Sequence, residues 1–160
     1  MATSLADFIA FIRSQRIRAT KIDSNGNVST IVMTITSGDL PDNDTEISYS
    51  YQAALDTASL VIARFSPTEY NRAVYNLALD TLIKASSAII FDDLKAYYGI
   101  GILRTGWIGS ASDSGSSASY TSFVSYVTEL NAYEMDLQKT PYGRAYFALA
   151  SRFASLKNWV

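Results

Sequence analysis

Neither cysteine nor histidine occurs anywhere in these 160 residues. Without thiols there is no disulfide framework, no thiolate-held zinc and no cysteine nucleophile, and the redox compartment is left open. Without imidazole the Ser-His-Asp triad, the Cys-His pair, the usual general base and nearly all zinc and non-haem iron sites drop out together. An enzyme built on this chain would have to run on carboxylates, lysine, arginine or tyrosine. No run of about 18 apolar residues is present, so no membrane-spanning helix is expected. The N-terminus carries an early acid, Asp7, and no basic stretch, so it does not read as a signal peptide. Neither sign of charge dominates. With 13 basic and 15 acidic residues the net charge is −2, the basic residues are scattered along the chain, and nothing attracts nucleic acid in bulk.

Aromatics and short hydrophobic repeats are what the chain has instead. Eleven tyrosines and seven phenylalanines are spread over its whole length, a supply that suits a core or a permanent subunit interface. Its length fits one domain, residues 1–160, with a sizeable core of its own. The stretch 66–87 organises the rest. Ser66, Pro67 and Glu69 spell a capping box with proline at the first helical position. Tyr70, Val74, Leu77, Ala78, Thr81, Leu82 and Ala85 then make one apolar face, and Tyr75, Leu79 and Ile83 a second. A helix apolar on two sides is covered on two sides. The expected fold is therefore mainly α, a bundle of about four to five helices with a small β-hairpin near the N-terminus.

The hairpin is predicted over residues 17–36, after an N-terminal helix within residues 1–16 whose apolar face is Leu5, Phe8, Ile9 and Ile12. Runs rich in Ile, Val and Thr flank Asn25-Gly26, a strong turn signal. Both faces of the second strand carry apolar groups, so the hairpin must lie against helices or a neighbouring chain. Asp39, Asp42, Asp44 and Glu46 follow in a polar linker whose alternating acids look briefly like a calcium loop. The glycine and glutamate such a loop needs at its sixth and twelfth positions are Ile47 and Ala53 here, so the acids read as solvated or as helix-start charges.

Core helices are expected over residues 47–98, with Tyr51, Leu55, Ala58, Ile62 and Phe65 on the first and Ile89, Ile90, Leu94 and Tyr97 near the end. Asp92 and Asp93 are helical neighbours about 100° apart, which rules them out as an acid/base pair on one substrate. Residues 99–119, rich in Gly and Ser, read as a flexible loop. It lacks the lysine of a phosphate-binding loop and the third glycine of a dinucleotide-binding turn. Two helices close the chain within residues 120–160. The last, from Pro141, places Tyr142, Tyr146, Leu149, Phe153 and Leu156 at alternating steps of four and three, with Ala145 on the same face, and the chain ends in apolar Trp159 and Val160.

The run Leu137-Gln138-Lys139-Thr140-Pro141-Tyr142-Gly143-Arg144-Ala145-Tyr146-Phe147 opens that last helix with Thr-x-Tyr-Gly-x-x-Tyr-aromatic, after a Gly/Ser-rich loop. It resembles the head-tail connector, or neck adaptor, proteins of tailed bacteriophages, and residues 69–82 are similar to that family's central helix. The likeness spans residues 51–153 and leaves the N-terminal helix and hairpin without a counterpart. What it implies is a non-enzymatic virion protein with no catalytic, metal or cofactor site, made in the host cytoplasm and placed at the head-tail interface. Such subunits form a ring, typically of twelve copies, between the portal protein and the tail or stopper protein. Double-stranded DNA passes through without specific binding, and no membrane is involved. Twelve copies at −2 each give a ring of about −24, which suits a conduit. The family motif falls on Thr140, Tyr142, Gly143 and Tyr146. Phe153, Leu156, Trp159 and Val160 are candidates for docking on the portal; Asn25, Gly26, Val28 and Trp107 are candidates for contact with a neighbouring subunit or the tail. The rival readings are another neck or tail-completion protein, a stopper or terminator, expected to be richer in β-structure, and a small helical ligand-binding protein.

Overall fold

Ser4, Asp44, Ser66 and Thr140 cap four of the helix starts with their own side chains. The computed structural model describes residues 3–22, 25–59, 66–100, 110–113, 116–119 and 132–154. In order these form α1 (Leu5–Ser14), β1 (Ile17–Ile22), β2 (Val28–Met33), α2 (Thr45–Ser59), α3 (Pro67–Ala85), a 3-10 turn (Ile89–Phe91), α4 (Asp92–Tyr98), β3 (Ser110–Asp113), β4 (Ser116–Ser119), α5 (Ala132–Leu137) and α6 (Pro141–Ala154). The fold is mainly helical with a small antiparallel sheet near the N-terminus, as the hydrophobic periods predict.

Ser4 caps α1 by accepting the Asp7 N–H at 3.1 Å. Ser66 caps α3 by accepting the Glu69 N–H at 3.3 Å, while the Glu69 carboxylate accepts the Ser66 N–H at 3.3 Å, which completes the capping box. Asp44 accepts the Glu46 N–H at 2.7 Å, so α2 begins at Thr45, two residues before the apolar spacing suggests. The expected α2 residues Ile62 and Phe65 lie outside the described residues.

Helix α3 is the centre. Every residue from 73 to 80 is buried, as are Leu82 and Ile83, so both predicted apolar stripes are covered. Ala85, at the helix end, is exposed. Helices α2 and α6 pack along α3, with α1 and α4 closing further sides. Phe8 of α1 stacks on Tyr51 of α2 at 5.6 Å and on Tyr75 of α3 at 5.9 Å, joining three helices through one ring. After Ser86 the chain turns about 100° and starts a new helix rather than continuing α3. Of the apolar stripe expected here Leu94 is buried, whereas Ile89 on the 3-10 turn and Tyr97 are 85% and 51% exposed; Phe91, which the spacing does not single out, fills the core beside Leu94. Gly99 ends α4 in the left-handed region at φ 65°, which costs glycine nothing. Among the described residues no single helix is long and apolar enough to cross a membrane.

The hairpin pairs Ile17 with Met33 through Ile22 with Val28. Its inner face, Ile17, Ala19, Ile31 and Met33, packs on the core. Its outer face is open: Val28 and Val32 are 68% and 61% exposed. Arg13 holds the hairpin's base. Its guanidinium donates to the Ile35, Thr36 and Leu40 carbonyls at 3.2, 3.1 and 2.6 Å and to Asp42 at 2.5 Å.

The Gly/Ser stretch departs from the flexible loop predicted for it. Ser110 pairs with Ser119 and Asp113 with Ser116 in a second antiparallel hairpin. Backbone pairing needs no large side chains, and a Ser/Ala strand shows no hydrophobic alternation, so the signal that exposes the first hairpin is missing from this one. Of the helix expected from residue 120, the structure describes Ala132–Leu137; of the final helix it describes Pro141–Ala154.

Candidate functional site

Thr140, Tyr142, Gly143 and Tyr146, the residues singled out at the start of the last helix, meet the C-terminal half of α3. Thr140 precedes Pro141 at the start of α6, the arrangement that a threonine N-cap followed by proline favours. Its hydroxyl oxygen accepts the Gly143 N–H at 2.9 Å, and its own proton goes to the Asp80 carboxylate, sixty positions away. Asp80 is 2% exposed in the middle of an apolar helix. Burial raises its carboxyl above the ordinary range, against the pull of the Lys84 ammonium and the Thr140 hydroxyl.

Lys84, one turn along α3, spends all three of its protons here. They go to Asp80 Oδ2 at 2.7 Å, Asp136 Oδ2 at 2.7 Å and the Asp136 carbonyl at 2.9 Å. The other Asp136 oxygen lies 2.9 Å from Lys139 Nζ. Burial alone would raise Asp136, but the bonds and charges of Lys84 and Lys139 together hold it below its ordinary value. The result ties α3, α5 and α6 at one point.

Gly143 is there because of space. A Cβ on it would stand 2.2 Å from the Leu137 carbonyl oxygen and 2.8 Å from Asp80 Oδ1. The first turn of α6 thus lies directly on the end of α5. Tyr142 and Tyr146 flank the contact at 9% and 3% exposure, and burial pushes the Tyr142 phenol up to about 12. A shallow cleft of about 320 Å³ opens beside this joint, lined by Asp80, Lys84, Tyr133 and Asp136 with Ala53 and Thr57. The charged heads that line it are engaged with one another, so what the arrangement does chemically is hold three helices in register.

No family model matches the chain, and no curated protein or solved structure matches it. The geometry therefore carries the functional argument.

Asn25, Gly26 and Val28 come together at the exposed tip of the first hairpin, where Gly26 takes φ 81°, a left-handed value that suits glycine. Trp107, Leu156, Trp159 and Val160 lie outside the described residues, and Phe153 is placed only by its backbone in the last turn of α6. The acids of the linker are each held by the protein. Asp39 accepts from Thr36, Asp42 from Arg13 and Asp44 from the α2 start. Glu46 accepts from the Ser86 and Ser87 hydroxyls and from the Ser87 N–H at 3.0 Å. The hydroxyl of Ser86 first, then the Ser87 N–H, keeps Glu46 below the ordinary carboxylate range.

Sequence reasoning missed Asp80, Lys84 and Asp136. A signal for the first two exists: an acid followed four residues later by a base, inside a helix otherwise apolar on that side. Asp136 shows only the acid-base spacing of three to Lys139; its tie to Lys84, more than fifty positions away, leaves no local signal.

Proposed function

We propose that this chain is a structural subunit of a tailed-phage neck, a head-tail connector that assembles as a ring between portal and tail and performs no catalysis. The observation that supports this most is the joint itself. The two stretches that carry the connector resemblance, residues 69–82 and the run around Thr140-Tyr142-Gly143, meet at one close-packed contact through Thr140, Gly143 and Asp80. They behave as parts of one structural unit. The open outer face of the hairpin, with Val28 and Val32 uncovered, is surface of the kind a ring contact uses. The helical architecture favours this reading over a β-rich stopper or terminator.

Light scattering tests it directly. The expected result is a closed ring of about a dozen copies, formed alone or on portal rings; a monomer that ignores every portal overturns the reading. In the same assay, removing residues 153–160 is expected to abolish portal binding with helical content near normal. Intact binding by the truncated chain would remove the docking role from Phe153, Leu156, Trp159 and Val160.

A further inference from the structure

Basic residues that are scattered along the sequence do not stay scattered in the fold. Arg16 and Arg18, at the entry to β1, meet Arg144 in the first turn of α6 around an open cleft of about 470 Å³. Tyr97, Tyr98 and Tyr142 supply its aromatic wall, and among the described residues no carboxylate lines it. Arg16 and Arg18 are exposed and have no hydrogen-bond or ion-pair partner among the described residues. Arg144 gives one N–H to the Gln138 carbonyl at 2.9 Å, which aims the guanidinium without neutralising it. Three guanidiniums lining one cleft give it a positive potential that favours an anion.

We propose that this cleft is a docking site for an extended acidic segment of a partner protein, one with carboxylates on alternate residues. Arginine and tyrosine are the residue types enriched where protein interfaces concentrate their binding energy. Arg16 and Arg18 are two residues apart at the mouth of a strand, so their side chains leave about 6.6 Å apart along one side. An extended peptide repeats its side chains at the same interval, and each guanidinium can take a carboxylate with two parallel bonds. Val32, the pairing partner of Arg18, lies exposed beside it and adds apolar surface to the same face, against which the stems of the acidic side chains can lie. Tyr97, half exposed and tilted against Tyr98 at 5.1 Å, walls the other side.

The rest of the molecule selects the occupant. This chain's own alternating acids, Asp42, Asp44 and Glu46, are held by Arg13, by the α2 start and by Ser86 with Ser87, so a second copy has no comparable segment in that linker to offer. Nucleic-acid affinity grows with the number of phosphates neutralised, and three arginines on a chain of net charge −2 neutralise few. A short acidic peptide is satisfied by three. The proposal is independent of the neck reading; within it, the segment would belong to the portal, tail or stopper protein.

Nuclear magnetic resonance of the full chain tests this, following arginine Nε–H signals during titration with acetyl-(Ala-Glu)4-amide. The signals of Arg16, Arg18 and Arg144 are expected to move together along one saturating curve. A peptide of the same composition with its four glutamates contiguous should bind more weakly. R16Q/R18Q/R144Q should lose about tenfold in affinity, three exposed pairs at roughly 0.5 kcal/mol each, while R152Q further along α6 binds as the parent. R16Q/R18Q alone should show most of the loss, which keeps the test valid if R144Q disturbs the α5–α6 turn. Shifts spread evenly over all arginines without saturation, or unchanged affinity in R16Q/R18Q, overturn the proposal. Single-stranded octathymidylate that occupies the cleft more tightly than the peptide at equal salt assigns the site to nucleic acid and overturns it equally.

Discussion

The α3–α6 joint and the outer face of the first hairpin are built on opposite plans. In the joint, polar groups are drawn into the interior and nearly every donor meets an acceptor, from the three protons of Lys84 to the hydroxyl of Thr140. On the hairpin's outer face, apolar Val28 and Val32 are left in water with nothing over them. The first region is complete within one chain and should govern whether the chain folds. The second is incomplete within one chain, and changes there should pass unnoticed until another molecule is present.

The largest effect should come from emptying one side of the joint. Lys84→Met leaves the Asp80 carboxylate buried beside no cation and is expected to lower stability by about 3–5 kcal/mol, read as the urea unfolding midpoint. Adding Asp80→Asn should recover part of that loss, since the buried charge then goes too. If the double variant is no better than Lys84→Met alone, the pair is not acting as a unit. Gly143→Ala comes next, at about 3 kcal/mol, because its new methyl meets Leu137 backbone that cannot swing away. Gly38→Ala, where the nearest side-chain atom is at 3.6 Å, is the matched control and should change little.

Acid should separate the carboxylates by sign. Glu46 and Asp136 are held below their ordinary values, so their contribution is full at neutral pH and fades as pH falls through the carboxylate range. Asp80 is raised by burial, so its protonation works the other way and partly offsets that fading. Glu46→Gln should therefore flatten the decline in stability between about pH 5 and pH 3, and Asp80→Asn should steepen it. Equal slopes for both variants would undo the assigned directions. The smallest effect on stability belongs to the hairpin face. Val28→Thr with Val32→Thr should shift the midpoint by less than about 0.5 kcal/mol, yet in the neck reading it should weaken ring formation in light scattering. A large loss of stability would mean that the face is already covered within one chain.

Much of this contrast was legible in the residues. The capping box at Ser66, the two apolar stripes of α3 and the Asn25-Gly26 hairpin follow from spacing and turn chemistry, because each is a local signal repeated over several positions. The joint was legible only as a motif. Thr140 and Gly143 stood out, but their reason, Asp80 and the Leu137 carbonyl, is supplied by chain far away or around a turn. The second hairpin was hidden by its small side chains, and the arginine cleft by distance, since Arg16 and Arg144 are brought together only by packing. Local order shows in periodicity; pairings made by tertiary contact do not.

The grip of Arg13 has a mechanical side. It stands just ahead of β1 and holds the backbone just after β2, so both legs of the hairpin leave the body of the protein through one guanidinium. A pull on the tip at Gly26 is therefore shared by both strands and delivered to α1, whose Phe8 is wedged against α2 and α3. The hairpin is thereby rooted in the core at both of its ends.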